Sequence, residues 1–172
     1  FIALGIGVLV LILLLESRSA TWERAETANE NLLFTVGHVL ERTLDAGDRG
    51  LRHAQAVMES GREPDNVTLF AGVPEQGFGI QLVLDDKGRV LAASSPPPPG
   101  DWGLAERPYF EIHRDRADVG LYLSEPFVSQ YDGGASVALS RRWNRPDGSF
   151  GGVIVQTLKL SVLQSLFSAF EL

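Results

Sequence analysis

The chain has 172 residues, 44% of them apolar, and a formal net charge of −7, which suffices for one domain with a substantial core. It holds no cysteine, so disulfides, thiolate metal sites and cysteine catalysis are excluded. The acidic balance, with no basic stripe against it, argues against nucleic acid as a partner.

The first fifteen residues, FIALGIGVLVLILLL, carry no charge. A full membrane span needs roughly 20 apolar residues, so residues 1–15 read as one end of a truncated transmembrane helix. A secretory signal is the alternative. The flank that follows holds Glu16, Arg18, Glu23, Arg24, Glu26 and Glu30, which is not the basic flank of a cytoplasmic loop and places the domain outside. No proline interrupts residues 16–60. Apolar or small residues recur there at Leu33, Val36, Leu40, Leu44, Gly47, Leu51, Ala54 and Met58, the spacing of one long amphipathic helix. Gly47 and Gly50 lower its propensity and mark where a kink would form. A coiled-coil seam with a second copy would bury such a stripe. For the half nearer Met58, packing on its own domain is the alternative.

Residues 61–77 form a connector rich in turn residues. FGIQLVLDDKGRVLAAS then reads as strand, turn, strand, and SSPPPPGDWG as a stiff extended loop. Next comes ERPYFEIHRD, residues 106–115, a short helix. Pro108 suits its first position and pushes Arg107 to extended geometry just outside it. No Ser, Thr, Asp or Asn occupies the cap, so open backbone N–H groups stand beside a guanidinium, a combination suited to an anion. Tyr109, His113 and Arg116 share one helical stripe. The competing reading makes these residues the polar skin of a surface helix, with Arg107 paired to Glu106 or Asp101.

GLYLSEPFV reads as a strand, GASVALSRRW and GGVIVQTLKL as a hairpin across NRPDGSF, and SVLQSLFSAFEL as a C-terminal helix leading to a second span. Strand alternation puts Val137, Leu139 and Arg141 on the face toward the long helix, and Ala138, Ser140 and Arg142 on the face toward the loop. Ser140 and Arg142 therefore join Arg107, Tyr109 and His113 as candidate ligand contacts. Tyr122 and Tyr131 stand where they would line or lid a pocket, with core packing the alternative for Tyr122. The expected class is α+β: a long helix, a five-stranded antiparallel sheet, a short helix in the loop and a closing helix. No catalytic residue is assigned. Ser140, His113 and Asp115 form no recognisable triad, since GxSxG is absent. The three histidines, His38, His53 and His113, lack metal-ligand spacing; no metal or cofactor is expected.

Taken together, LVLDDKGRVLAAS, ERPYFEIHRD and ALSRRWNRPDGSFGGVIVQTLKL, behind a helical approach from a membrane, resemble the Cache (PDC, PAS-like) extracytoplasmic sensor domains of bacterial receptors. The resemblance covers most of residues 16–172. It implies one sensor module at 61–160, in the periplasm and anchored to the inner membrane, that feeds an absent cytoplasmic output such as a diguanylate cyclase or histidine kinase. Amino-acid-binding members carry an Arg-Pro-Trp-Tyr run, to which RPYF is similar, with Arg107 in the arginine place and Tyr109 in the tryptophan place. Phe127 stands where those members use a tyrosine, and Thr157 where they use an aspartate for the amino group. The resemblance thus implies a small anionic, carboxylate-like ligand without an amino group. A ligand-free dimerisation or interaction scaffold is the alternative.

Overall fold

The computed structural model describes residues 37–61, 65–74, 76–97, 100 and 102–162. The apolar segment 1–15, the stalk up to residue 36 and the closing helix beyond Val162 lie outside the described residues. Among the described residues, no helix is long and apolar enough to cross a membrane.

Two compact units divide the chain after Glu41. Of the first, residues 37–41 are described, and they are helical. The second opens with helix α1 over 42–59, which runs through Gly47 and Gly50 without a break. Both glycines serve contact rather than bending. A Cβ on Gly47 would lie 2.8 Å from the Phe78 ring, and one on Gly50 would lie 2.6 Å from the Gly72 carbonyl oxygen. The expected stripe is the buried one, with Leu51 and Ala54 at 0% exposure.

The connector holds a one-turn helix, α2 (Asn66–Leu69), capped by Asp65, whose side chain accepts from the Thr68 N–H. Strands β1 (Phe78–Asp85) and β2 (Val90–Ala93) form the first hairpin. Its turn is fixed by the Asp85 carboxylate, which accepts from the backbone N–H groups of Lys87 and Arg89, with Gly88 at positive φ. A 3-10 turn (Leu104–Glu106) precedes the short helix α3 (Pro108–Asp115). The run GLYLSEPFV is two short strands, β3 (Tyr122–Leu123) and β4 (Phe127–Val128), rather than one. Pro126 has no N–H to give a ladder, and between the two strands the Ser124 hydroxyl takes over, accepting from the Ala138 N–H at 2.8 Å. The long hairpin β5 (Ala135–Asn144) and β6 (Phe150–Lys159) completes one antiparallel sheet, in the order β2-β1-β6-β5-β3 with β4 also on β5. The sheet has six strands where the sequence reading expects five, and the class is α+β.

Strand alternation gives the sheet two packed faces. Val83, Val137, Leu139, Ile154 and Leu158 meet α1. Ile80, Leu82, Leu84, Ala138, Val153 and Val155 meet Leu104, Tyr109 and Phe110. Trp143 is buried on the α1 side and donates its indole N–H to the Leu84 carbonyl. Arg141 reaches back to α1 and pairs with Asp48, both nearly buried.

Candidate functional site

Helix α3 builds the site because its buried side presents Tyr109, Phe110 and His113 to the sheet. Phe110 anchors it, 1% exposed and edge-on to Phe150 with ring centroids 5.8 Å apart. Arg107 caps the helix in extended geometry, at φ −82° and ψ 141°, with no side-chain cap bond. Its carbonyl accepts from the N–H groups of Phe110 and Glu111.

A narrow cavity lies between α3 and the sheet. Its walls are Ile80, Leu82, Trp102, Leu104, Arg107, Tyr109, Phe127, Ser129, Gln130, Tyr131, Val155 and Thr157. The cavity proper measures about 30 Å³, or about 390 Å³ with its open mouth counted. Five residues singled out from the sequence therefore meet here: Arg107, Tyr109, Phe127, Tyr131 and Thr157. Arg107 is half-buried, and its side chain forms no ion pair or hydrogen bond with another described residue. Tyr109 is 6% exposed. Burial pushes its phenol up to about 12 and outweighs the lowering effect of the Arg107 charge, so the group stays a neutral O–H donor. Thr157 is already engaged, its hydroxyl donating to the Ile80 carbonyl at 3.3 Å. Among the described lining residues there is no Asp or Glu. The wall offers a guanidinium and hydroxyls over an apolar floor and, among the described residues, no carboxylate to balance an ammonium.

The other four nominated residues, His113, Ser140, Arg142 and Tyr122, gather one helical turn further along α3, and none lines the cavity. His113 is 0% exposed, and its Nε2 lies 3.0 Å from the Ser140 hydroxyl. The Tyr122 ring stands edge-on to the imidazole, with centroids 6.3 Å apart. Arg142 donates to the His113 carbonyl at 2.8 Å and lies over the Phe150 ring. Burial pulls the His113 imidazole down to about 4, the Ser140 contact opposes this, and the Arg141 and Arg142 charges add to it. Ser140 and Arg142 face the loop side, as alternation requires, yet they close on the helix itself. Arg116, on the sequence stripe with Tyr109 and His113, is exposed and pairs with Asp118.

Ile80, Leu82 and Val155 line the cavity without having been nominated. Their period-2 placement on β1 and β6 carried that signal, since Val155 and Thr157 share a face. Ser129 and Gln130 lie in a turn with no pattern to announce them. Wider grooves open to solvent include one of about 520 Å³ between the Lys87–Arg89 turn and residues 102–106 and one of about 630 Å³ along β2. Neither contains a nominated residue. No group of His, Cys, Asp or Glu among the described residues is placed to hold a metal.

Neither a protein-family model nor a curated protein matches this sequence. Solved structures do. An extracellular domain assigned to a histidine kinase, rpHK1S-Z16, is 26% identical with a TM-score of 0.70, over 83% of this chain and 60% of that one. The ligand-binding domain of the Pseudomonas aeruginosa amino-acid chemoreceptor PctC, solved with GABA, is 18% identical with a TM-score of 0.56, over 80% of this chain and 67% of that one. That of the Campylobacter jejuni chemoreceptor Tlp3, solved with L-valine, is 13% identical with a TM-score of 0.62, over 79% and 60%. The chain thus spans about three-fifths of the length of that extracellular domain. Its fold is that of the extracellular sensor domains of histidine kinases and chemoreceptors, the Cache (PDC, PAS-like) fold.

Proposed function

We propose that this chain senses a small molecule carrying a carboxylate-like group and no ammonium, as the extracytoplasmic part of a bacterial membrane signalling receptor. One observation carries the reading: the Arg107 side chain, half-buried on the cavity wall with Tyr109, has no acidic partner among the described residues. A guanidinium held there invites a carboxylate, which takes two parallel hydrogen bonds from it. The solved relatives with GABA and with L-valine support a small-molecule role for the fold. Thr157 in place of an acid, and a lining without Asp or Glu, argue against an α-amino acid here. The segment 1–15 anchors the domain to the inner membrane, with residues 61–160 in the periplasm. The long helix pairs with that of a second copy, and ligand-driven displacement of it is the signal to a histidine kinase or diguanylate cyclase output.

Calorimetric titration with a panel of small monocarboxylates and the matching α-amino acids tests the ligand class. A monocarboxylate should bind, and Arg107→Ala should weaken it at least thirtyfold, the roughly 2 kcal/mol of a charge-assisted pair. Equal binding by the variant would remove Arg107 from the site, and tighter binding of the amino acids would overturn the carboxylate reading.

The narrowness of the cavity favours a second reading. About 30 Å³ admits roughly one water, so a ligand of several heavy atoms requires the wall to move. A scaffold that dimerises without a ligand needs no such movement. It would bind no member of the panel and sediment as a dimer.

A further inference from the structure

His113 is a fully buried imidazole with one side-chain partner. Its Nε2 meets the Ser140 hydroxyl at 3.0 Å, and its buried Nδ1 has no hydrogen-bond partner among the described residues. A buried donor without an acceptor costs more than a buried lone pair without a donor. The neutral form with the proton on Nε2 is therefore the one that this pocket accepts. Protonation would place an N–H on Nδ1 with nothing to receive it. The charged groups around it are of the wrong sign to help. On β5, the Arg142 guanidinium holds the His113 carbonyl, and Arg141 faces the other layer, paired with Asp48. On β3 there is the neutral Tyr122, and on α3 itself the neutral Tyr109 one turn before and the exposed Arg116 after. β6 places the apolar Val155 and Val153 beside Ser140 and Arg142, and no carboxylate acts on the imidazole among the described residues.

We propose that His113 is a proton-sensitive latch: uptake of one proton releases α3 from β5, so that the Arg107–Tyr109 end of the cavity is assembled only while the imidazole is neutral. The release needs no ligand. Its link to ligand affinity rests on the cavity reading above, in which Arg107 and Tyr109 form the anion end. Acid outside the cell would then lower the receptor's hold on its ligand.

The test is amide hydrogen exchange on the full chain at pH 7.5 and pH 5.0, corrected for intrinsic rates. For an imidazole moved from 6.5 to about 4, linkage predicts that opening of α3 rises about thirtyfold at the lower pH. The amides of residues 110–116 should lose that protection while β1 and β6 keep theirs. In His113→Gln, whose carboxamide can still donate to Ser140, α3 protection should be independent of pH. No change in α3, or an equal loss in β1 and β6, overturns the latch. Should the variant fail to fold, imidazole NMR of the wild-type chain decides. His113 must titrate at least one pH unit below the ordinary imidazole value of about 6.5, and a transition at that ordinary value overturns the proposal. None of these measurements involves a ligand, so a failed latch leaves the carboxylate reading standing, and a failed ligand panel leaves the latch standing.

Discussion

Single groups without partners define this molecule more than its paired ones do. Tyr109 lines the cavity and its hydroxyl forms no hydrogen bond with another described residue, so Tyr109→Phe should leave the melting temperature within about a degree. The same change should weaken a bound monocarboxylate about five- to tenfold, the worth of one hydrogen bond, as read by calorimetric titration. Asp48 shows the opposite economy. Burial raises its carboxyl, but the bonds and charges of Arg141 and Arg52 outweigh this and hold it below the ordinary value. Asp48→Asn strands a largely buried Arg141 and should cost roughly 1–3 kcal/mol in urea unfolding. Asp118→Asn breaks only the exposed pair with Arg116 and should cost less than about 0.5 kcal/mol.

At the level of elements, glycine in α1 separates propensity from packing. Changing Gly50 to Ala would favour an isolated helix by about 1 kcal/mol. Here the added methyl meets the Gly72 carbonyl, part of a backbone that cannot swing aside, so we expect Gly50→Ala to lower unfolding free energy by about 1–3 kcal/mol. The sequence announced this helix by its 3-4 spacing, but not why its glycines are there, because close approach depends on a loop that lies distant in the chain. The two hairpins were equally legible, from DDKG and RPDG between apolar runs. The break between β3 and β4 was not, since it turns on a serine hydroxyl bonding across to Ala138. The site was legible in part for the same reason. Arg107 and Tyr109 follow from Pro108 and helix periodicity, whereas the separation of His113 from the cavity depends on which β5 residue each helical turn meets. Alternation placed Ser140 on the correct face and could not say that the helix itself would cover it.

For the molecule as a whole, pH should act in two stages. His113 has a depressed value in the folded chain, so its contribution is fully present above about 6.5 and is lost as pH falls toward about 4, up to roughly 3 kcal/mol. Asp48, Asp85 and Asp132 are lowered too, each against the raising effect of burial, by partners at Arg141, Arg89 and Lys159. Their contribution persists above the ordinary carboxylate range and disappears only below it. Thermal unfolding followed from pH 8 to 3 should therefore decline in two limbs, and His113→Gln should flatten the first while leaving the second. The alternation of β5 gives the pattern a mechanical side. Three successive residues, Ser140, Arg141 and Arg142, fasten to α3, α1 and α3 in turn. Whatever disturbs the α3 layer is thus only one or two peptide units from the α1 layer, along a rung too stiff to absorb the motion, and the domain behaves less like a cushion than like a bell crank.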